Sequence, residues 1–436
     1  MPDAQTSKTM SLKLSKVVER ARAHPEERFN SLAHLIDVPA LERVYHRVRK
    51  SAAVGVDGVT KEEYGQNLGE NLRDLHVRMK SKKYRHQPIR RVLIPKGGGK
   101  MRPIGISTLE DKLVQGAVRD VLEAIYEQDF LDCSYGFRPK RGAHDAVLAI
   151  NRIVRQGEAN WILEADIVSF FDRIDRTMLM EMLRKRVVDG ALLRLVGKCL
   201  HAGVLEDGAL SNPTLGTAQG SALSPLLGNI YLHYVLNLWL EEEVKPRLRG
   251  RASMVVYADD FVICFERQED AERVMGVLPK RMARFGLALH PDKTRLLHFG
   301  KPRGVSGGKG PSTFDFLGFT FFWAKGRGGR WVMLCKTQCA RYRRAVMAVY
   351  DWCRQHRHWA VANQHKALTR RVQGYFNYYG VSGNSRSLQQ YVKQVERAWV
   401  KWLRKRSNKT RLTWERYAEL KKRFPLPRPR IAVRFW

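Results

Sequence analysis

The sequence predicts an α+β fold, and three stretches of the chain support this class. Residues 161–167, WILEADI, are predicted to form a buried strand, and residues 254–265, MVVYADDFVICF, form two apolar runs around an acidic pair. The next stretch, DAERVMGVLPKRMARFG at 270–286, has apolar residues at helical spacing. Strands and helices therefore alternate through the middle of the chain.

Three regions are predicted along the chain. An N-terminal extension, 1–50, contains SLAHLIDVPALERVYHRVRKSA, whose apolar spacing predicts a helix, and the Gly/Asp turn signal VGVDGVT follows it. Residues 51–325 carry the alternating strands and helices. The last region, 326–436, is predicted to be helical and is rich in aromatic and basic residues.

The helix predicted at 270–286 has recognisable ends. We expect Asp270 to cap its N-terminus, Pro279 to kink it and Gly286 to end it. Further along, the Gly-rich stretch GKPRGVSGGKGP predicts a flexible loop between two strand-like runs.

The charge of the chain points to a polyanionic partner. Lys and Arg total 78 against 43 Asp and Glu, which gives a formal net charge of +35. Such an excess repels itself unless a polyanion lies nearby, so nucleic acid or an anionic membrane is the expected partner. A hydrophobic content of 44% is sufficient for packed cores and excludes a disordered chain.

The location of the protein follows from what the sequence lacks. No run of eighteen apolar residues occurs, and the first twenty residues have no apolar core of a signal peptide. The six cysteines form no disulfide framework. We therefore expect a cytoplasmic protein with no membrane partner.

One group of thiols and imidazoles raises the question of a zinc site: Cys335, Cys339, Cys353, His356 and His358. The residues between its halves have helical apolar spacing, and fourteen residues of helix would separate Cys339 from Cys353 by about 21 Å. Because one ion needs all of its ligands together, no zinc is expected here.

The acidic pair Asp259 and Asp260 is predicted to form the tight turn between two strands. A solvated acidic turn is the simpler interpretation of such a pair. However, Asp166 ends the strand-like run WILEADI, and a strand end beside this hairpin would bring the three carboxylates together. Adjacent like charges repel unless a cation lies between them, and hard Mg²⁺ prefers oxygen ligands. The arrangement predicts a site for two Mg²⁺ ions.

The residues around these carboxylates resemble those of the group II intron-encoded reverse transcriptases and maturases. The resemblance rests on YADD at 257–260, on EADIVSFF before it and on GTAQGSALSPLLGNIYLH. It implies a right-hand polymerase, with fingers and palm built from an antiparallel sheet plus helices and followed by an α-helical thumb and maturase region. It also implies that Asp166, Asp259 and Asp260 hold the metals and that Tyr257 borders the nucleotide.

The resemblance extends to the segment IRRVLIPKGGGKMRPIGISTLEDKLVQGAV, which is similar to the fingers of that family. It implies that Lys96 and Arg102 hold the incoming triphosphate, to which a point charge and a planar fork are both suited. Their simpler interpretation is exposed hairpin charge. Phe171 matches the bulky steric gate that favours deoxynucleotides, and Phe170 beside it is expected in the core.

Further positions match later motifs of the family. Gln219 matches a residue near the sugar and base of the nucleotide, and Gly220 would allow the backbone to approach the substrate closely. Lys293 matches a lysine near the leaving pyrophosphate, where it would act as a general acid or by simple electrostatics. Leu317 and Gly318 match the motif that supports the primer strand.

Two features depart from the family. The usual Gly-Thr-Pro-Gln-Gly-Gly appears here as GTAQGS, with Ala218 and Ser221 substituted. Many members of the family carry a C-terminal DNA endonuclease with paired cysteines and histidines. No Cys follows residue 360 here, so we expect an endonuclease-lacking, bacterial type of the family.

The resulting hypothesis is an RNA-directed DNA polymerase with an RNA template, a DNA primer and deoxynucleoside triphosphates as its partners. It would also bind its group II intron RNA through the basic helical region to assist splicing and mobility. One alternative is a protein that is primarily a splicing factor. Another is a domesticated reverse transcriptase in phage defence, CRISPR spacer acquisition or repair.

Overall fold

The computed structural model confirms the α+β class, with helices first, strands and helices in the middle, and helices last. It describes residues 12–97, 100–157, 159–206, 209–211, 215–217, 220–302, 312–326, 328–406 and 412–435. The part of the chain predicted as a flexible Gly-rich loop lies mainly outside these residues.

The described strands group into three sheets. They are β1 (Ile89–Gly97), β2 (Lys100–Ile106), β3 (Trp161–Asp166), β4 (Val204–Glu206), β5 (Ala209–Ser211), β6 (Ala252–Tyr257), β7 (Asp260–Phe265), β8 (Arg295–His298), β9 (Phe314–Phe316), β10 (Phe319–Lys325) and β11 (Trp331–Thr337).

Helices surround these sheets and form the C-terminal region. They are α1 (Leu12–Ala23), α2 (Val38–Arg47), α3 (Lys61–Gln66), α4 (Leu68–Lys80), α5 (Leu109–Asp129), α6 (Ala143–Arg155), α7 (Phe170–Arg173), α8 (Arg176–Arg184), α9 (Gly190–Leu200), α10 (Ser224–Leu232), α11 (Gln268–Arg284), α12 (Cys339–Gln355), α13 (Val361–Tyr379), α14 (Ser385–Arg404) and α15 (Trp414–Arg423). Two π-helical segments, His233–Asn237 and Trp239–Val244, prolong α10.

The central sheet has the order β6-β7-β3-β8, and all of its neighbouring strands are antiparallel. Both of its faces are covered. Along β7, Phe261, Ile263 and Phe265 enter the core on one face, and Val262 and Cys264 enter a second core on the other. Because side chains alternate along a strand, a strand buried on both faces has the continuous apolar sequence from which it was predicted.

The remaining described strands form the other two sheets. The fingers-like sheet has the order β2-β1-β4-β5, in which β1 and β2 form an antiparallel hairpin and β4 joins β1 in parallel. The third sheet is β11-β10-β9. Residue 326 lies in the connection between β10 and β11, so a boundary at 325/326 divides this sheet, and the helices begin at Cys339.

The helix predicted at 270–286 is α11, and one of its predicted ends is wrong. Arg267, not Asp270, is the N-cap residue. Asp270 is buried inside the first turn, where its carboxylate accepts hydrogen bonds from the backbone N–H groups of Arg249 and Gly250. Asp270 therefore binds the loop before β6 instead of capping α11. The helix contains Pro279, and Gly286 follows the C-cap residue with a φ of +69°.

The C-terminal helices have their own core and also reach the central sheet. Trp399, Tyr391 and Phe376 are buried between α13 and α14, so the aromatic residues of this region mainly form a core. Near the end of the chain, Phe435 is 5% exposed and lies in the second core together with residues of β6 and β7. The last described residues therefore fasten this region to the central sheet.

Candidate active site

The acidic pair lies where β6 turns into β7, but the turn is one residue earlier than predicted. Tyr257 pairs with Asp260 across the hairpin, so the two turn residues are Ala258 and Asp259. Ala258 has a φ of +56°, and Asp260 is already the first residue of β7. The expectation that both aspartates form the turn is therefore wrong, because the left-handed Ala258 completes it.

The register of the central sheet brings a third carboxylate to this turn. Asp166, the last residue of β3, is directly opposite Asp260 in β7. The backbone N–H of Ile167 donates to the carbonyl oxygen of Asp259 at 3.4 Å. The sheet thus brings Asp166, Asp259 and Asp260 to one edge.

A lysine contacts this group of carboxylates. Lys293 Nζ donates to Asp166 Oδ2 at 2.5 Å. The backbone N–H of His290 donates to the carbonyl oxygen of Asp166 at 2.8 Å, so the loop that carries Lys293 is bonded to the end of β3. The ammonium group of Lys293 therefore lies in direct contact with the carboxylate of Asp166.

Burial and mutual repulsion disfavour the ionised form of the acidic pair. Burial raises the pKa of Asp259, and the charge of Asp166 adds to this effect. The pKa of Asp260 is raised to about 7 by burial, by the charge of Asp259 and by a side-chain hydrogen bond with Asp166. Lys293 opposes the shift of both groups. A cation that entered this edge would offset the repulsion.

The donor chemistry of this edge suits a hard divalent cation, since carboxylate oxygens are the preferred ligands of such ions. Asp166 is directly opposite Asp260 in the sheet, and Asp259 is close enough for its charge to act on Asp260. Within the described ranges, no three acidic, histidine or cysteine side chains are gathered as a preformed ligand set. The residues fit a metal that would draw these carboxylates together.

The fingers-like hairpin brings one of its two predicted phosphate ligands near the carboxylates. Arg102 lies in β2, and its positive charge opposes the rise in pKa that burial causes at Asp259 and at Asp172. Lys96 lies in β1, but its side chain is outside the described part of the molecule.

Phe170 and Phe171 begin the short helix α7 just after β3. Phe170 is 2% exposed, whereas Phe171 is only partly buried. The backbone carbonyl of Phe171 accepts a hydrogen bond from Thr217 N–H at 2.7 Å. A Cβ at Gly228 would lie 3.1 Å from Phe171 Cε1, so this glycine makes room for the ring. The ring of Phe171 is therefore partly exposed, whereas that of Phe170 lies in the core.

The loop that carries the predicted nucleotide contact packs on the fingers-like hairpin. Gln219 itself lies outside the described residues. Gly220 has a φ of +113°, and a Cβ there would lie 2.4 Å from the carbonyl oxygen of Gly105 in β2. Ala222 N–H donates to Gln115 Oε1 at 3.2 Å. The close approach at Gly220 is thus to β2, and the buried Gln115 is an anchor that sequence reasoning missed.

Leu317 and Gly318 form the two-residue turn between β9 and β10, with φ values of +51° and +78°. Tyr378, near the end of α13, donates its hydroxyl to the carbonyl oxygen of Leu317 at 2.9 Å. The backbone N–H of Gln338 donates to the carbonyl oxygen of Gly318 at 2.9 Å. Tyr378 was missed because its sequence signal, YFNYYG, does not show which turn it contacts.

Two further findings bear on partners. Within the described ranges, no helix is both long and apolar enough to cross a membrane. All six cysteines are free thiols.

Comparison with known proteins identifies what this chain is similar to. Residues 94–321 match the family described as reverse transcriptase (RNA-dependent DNA polymerase). Protein YkfC of Escherichia coli (strain K12) is 33% identical over 320 residues, which cover 65% of this chain and 83% of that protein.

Two more relatives are named after introns. The group II intron-encoded protein LtrA of Lactococcus lactis subsp. cremoris is 36% identical over 285 residues, covering 63% of this chain and 47% of LtrA. The putative COX1/OXI3 intron 1 protein of Saccharomyces cerevisiae is 30% identical over 248 residues, covering 56% of this chain and 29% of that protein. The chain thus spans less than half the length of each intron-named relative.

Proposed function

The chain belongs to the reverse transcriptases, a family of RNA-dependent DNA polymerases, and we propose that the edge carrying Asp166, Asp259 and Asp260 is its active centre. One observation carries this proposal. The sheet register sets Asp166 opposite Asp260, with Asp259 in the adjoining turn, so three carboxylates share one partly buried edge.

Reverse transcriptases use divalent metal ions, and we propose two Mg²⁺ ions held by these three aspartates. When bound, Mg²⁺ lowers the pKa of the primer 3′-hydroxyl and neutralises negative charge on the departing pyrophosphate. The raised pKa values of Asp259 and Asp260 support the proposal, because burial and mutual repulsion disfavour the ionised carboxylates and a bound cation would offset both effects.

Lys293 is proposed to act by electrostatics. Its ammonium donates to Asp166 Oδ2, and this charge-assisted hydrogen bond fixes the direction of the carboxylate. A general-acid role toward the pyrophosphate would require this contact to break, so the contact favours the electrostatic role.

The nucleotide is proposed to bind between the fingers-like hairpin and the central sheet. Lys96 and Arg102 would contact its triphosphate, which the nearness of Arg102 to Asp259 supports. Phe171 would contact the sugar as the steric gate, beside Tyr257. Gln219 and Gly220 would border the sugar and base, and Leu317 and Gly318 would support the primer strand.

The polymerase proposal is tested by extension of a DNA primer annealed to an RNA template, with Mg²⁺ and deoxynucleoside triphosphates. We expect extension by the wild type and none by Asp259→Asn, with RNA binding and folding unchanged. Asp351→Asn, an exposed substitution in α12, is the matched control and should extend normally. Normal extension by Asp259→Asn would disprove the site.

A second candidate function is binding of an intron RNA to assist its splicing, and the names of the intron-encoded relatives favour it. The region 326–436 would then serve both as a thumb over the template-primer duplex and as the RNA-binding maturase region, after an N-terminal extension at 1–50 and the polymerase region at 51–325. The proposed location is the cytoplasm, which the free cysteines suit.

The splicing proposal needs point substitutions, because deleting the C-terminal region would remove Phe435 and Val381 from the second core. We expect Asp259→Asn to splice the intron RNA that flanks the gene as well as the wild type does. Charge reversal at Arg370 and Lys393, both exposed on the C-terminal helices, should reduce splicing. Unchanged splicing in the charge-reversal variants would count against this function.

A further inference from the structure

Backbone strain in the molecule is concentrated around the candidate active site. Among the described residues, six other than glycine have a positive φ. Ala258 and Leu317 are in the two turns already discussed, and Ser169 precedes α7. The fourth is Phe137, with a φ of +57°, in the loop between α5 and α6. A left-handed conformation is rare and unfavourable for a bulky residue, so it persists only where the surroundings impose it.

The ring of Phe137 is exposed beside the proposed steric gate. It is 56% exposed, which is unusual for a phenylalanine that does not join a core. Its ring lies edge-on to that of Phe171, with centroids 6.5 Å apart and planes at 66°. An edge-to-face pair at this separation is attractive. Phe137 therefore contacts Phe171 from the side that faces solvent.

Three contacts fix the backbone of this loop. A Cβ at Gly136 would lie 2.4 Å from the backbone nitrogen of Ala258, so the loop packs directly against the turn Ala258–Asp259. Asn229, which is 5% exposed, donates its Nδ2 to the carbonyl oxygen of Gly136 at 2.7 Å. On the other side, the buried guanidinium of Arg138 donates to both carboxylate oxygens of Glu127.

From these contacts we infer that Phe137 is a second specificity-determining residue for the sugar of the incoming nucleotide, forming one wall of the pocket whose floor is Phe171. The inference rests on the proposed function, since it presupposes that Phe171 is the gate. Phe170 and Gly228 bound the Phe171 ring on its buried sides, and Phe137 bounds it on the exposed side. Without Phe137, the ring of Phe171 can move away from the sugar, and room opens for a 2′-hydroxyl.

The test compares single-nucleotide incorporation of a deoxynucleotide and the matching ribonucleotide on one RNA template. The measured quantity is the ratio of their kcat/KM values. Phe171→Ala should reduce discrimination by about 100-fold and Phe137→Ala by about tenfold. Phe137→Gly should reduce it as much as Phe137→Ala, although glycine relieves the backbone strain and alanine does not. Phe137→Tyr keeps the ring and should keep discrimination.

Lys140 provides the matched control. It lies in the same loop, is exposed and has a φ of +59°, but its side chain carries no ring to pack on Phe171. Lys140→Gly should leave sugar discrimination unchanged.

Two results would overturn the inference. If Phe171→Ala loses discrimination while Phe137→Ala and Phe137→Gly retain it, Phe137 is not a wall of the sugar pocket. If both Phe137 variants instead raise the KM of deoxy- and ribonucleotides equally, the ring stacks on a base. Unchanged discrimination in Phe171→Ala would contradict the proposed gate itself, and failure of the wild type to extend would contradict the polymerase.

Discussion

Two hairpin turns border the candidate active site, and the chain holds them in different ways. The carboxylate turn, Ala258–Asp259, joins β6 to β7, and the primer turn, Leu317–Gly318, joins β9 to β10. Both begin with a non-glycine residue in the left-handed region, at φ values of +56° and +51°.

The carboxylate turn is held by backbone packing close to the central sheet. Gly136 leaves no room for a Cβ against Ala258, and Tyr135 N–H donates to the carbonyl oxygen of Val256 at 2.9 Å. The primer turn is held by the C-terminal region, through the backbone N–H of Gln338 just before α12 and the hydroxyl of Tyr378 near the end of α13. The backbone contacts that hold the carboxylate turn thus come from the loop before α6, whereas those that hold the primer turn come from the C-terminal region.

The largest effect should come from filling the space at Gly136. Gly136→Ala puts a Cβ into the backbone of Ala258, so the carboxylate turn must move. We expect primer extension to fall more than about 100-fold and the free energy of unfolding to fall by about 1–3 kcal/mol. Activity assays and urea denaturation would measure the two changes.

Gly374→Ala is the control for this variant. Its site in α13 has nothing within 4 Å of an added Cβ, so alanine should stabilise the helix by about 0.5–1 kcal/mol without loss of activity. Full activity in Gly136→Ala would show that the carboxylate turn does not depend on this packing.

The next effect is a pH dependence carried by Asp260, which follows the carboxylate turn. Because the pKa of Asp260 is raised from 3.8 to about 7, the folded protein keeps a proton that the unfolded chain has released across this range. Without metal, this contribution to stability is therefore lost as the pH rises through about 7. Asp260→Asn should lack this loss, and added Mg²⁺ should stabilise the wild type more at high pH than at low pH. Denaturation in EDTA across this range would measure it, and equal slopes in both proteins would contradict the shift.

The smallest effect should come from the primer turn. Tyr378→Phe removes the hydrogen bond to Leu317 but keeps the ring that stacks on Phe319, at a cost of about 1 kcal/mol. We expect a several-fold rise in the KM for primer-template and an unchanged Mg²⁺ requirement. Tyr350→Phe, in α12 and away from the turn, is the control. A changed Mg²⁺ requirement in Tyr378→Phe would mean that the two turns are not independent.

The sequence predicts more of the carboxylate turn than of the primer turn. The runs around YADD are continuous and apolar, and WILEADI is mainly apolar, because both faces of the central sheet are buried, so their strands could be assigned. The exact turn residues could not, because hairpin register depends on backbone conformation at Ala258, whose residue type does not favour a positive φ.

What the sequence does not reveal are contacts between distant segments. Tyr378 and Leu317 are 61 residues apart, and Gln115 and Ala222 are 107 apart. No local pattern specifies which helix docks on which turn. Asp270 shows the same limit, since a residue typical of a cap instead accepts hydrogen bonds from a loop about twenty residues away. The catalytic roles of Asp166, Asp259 and Asp260 stay a prediction.

Mn²⁺ binding tests the central claim most directly, namely that β3 and the carboxylate turn together build a divalent-metal site. It would be followed by electron paramagnetic resonance with RNA template, dideoxy-terminated primer and the next deoxynucleotide bound. The account predicts two Mn²⁺ ions per wild-type molecule and loss of this binding in Asp166→Asn. Unchanged Mn²⁺ binding in Asp166→Asn would contradict it.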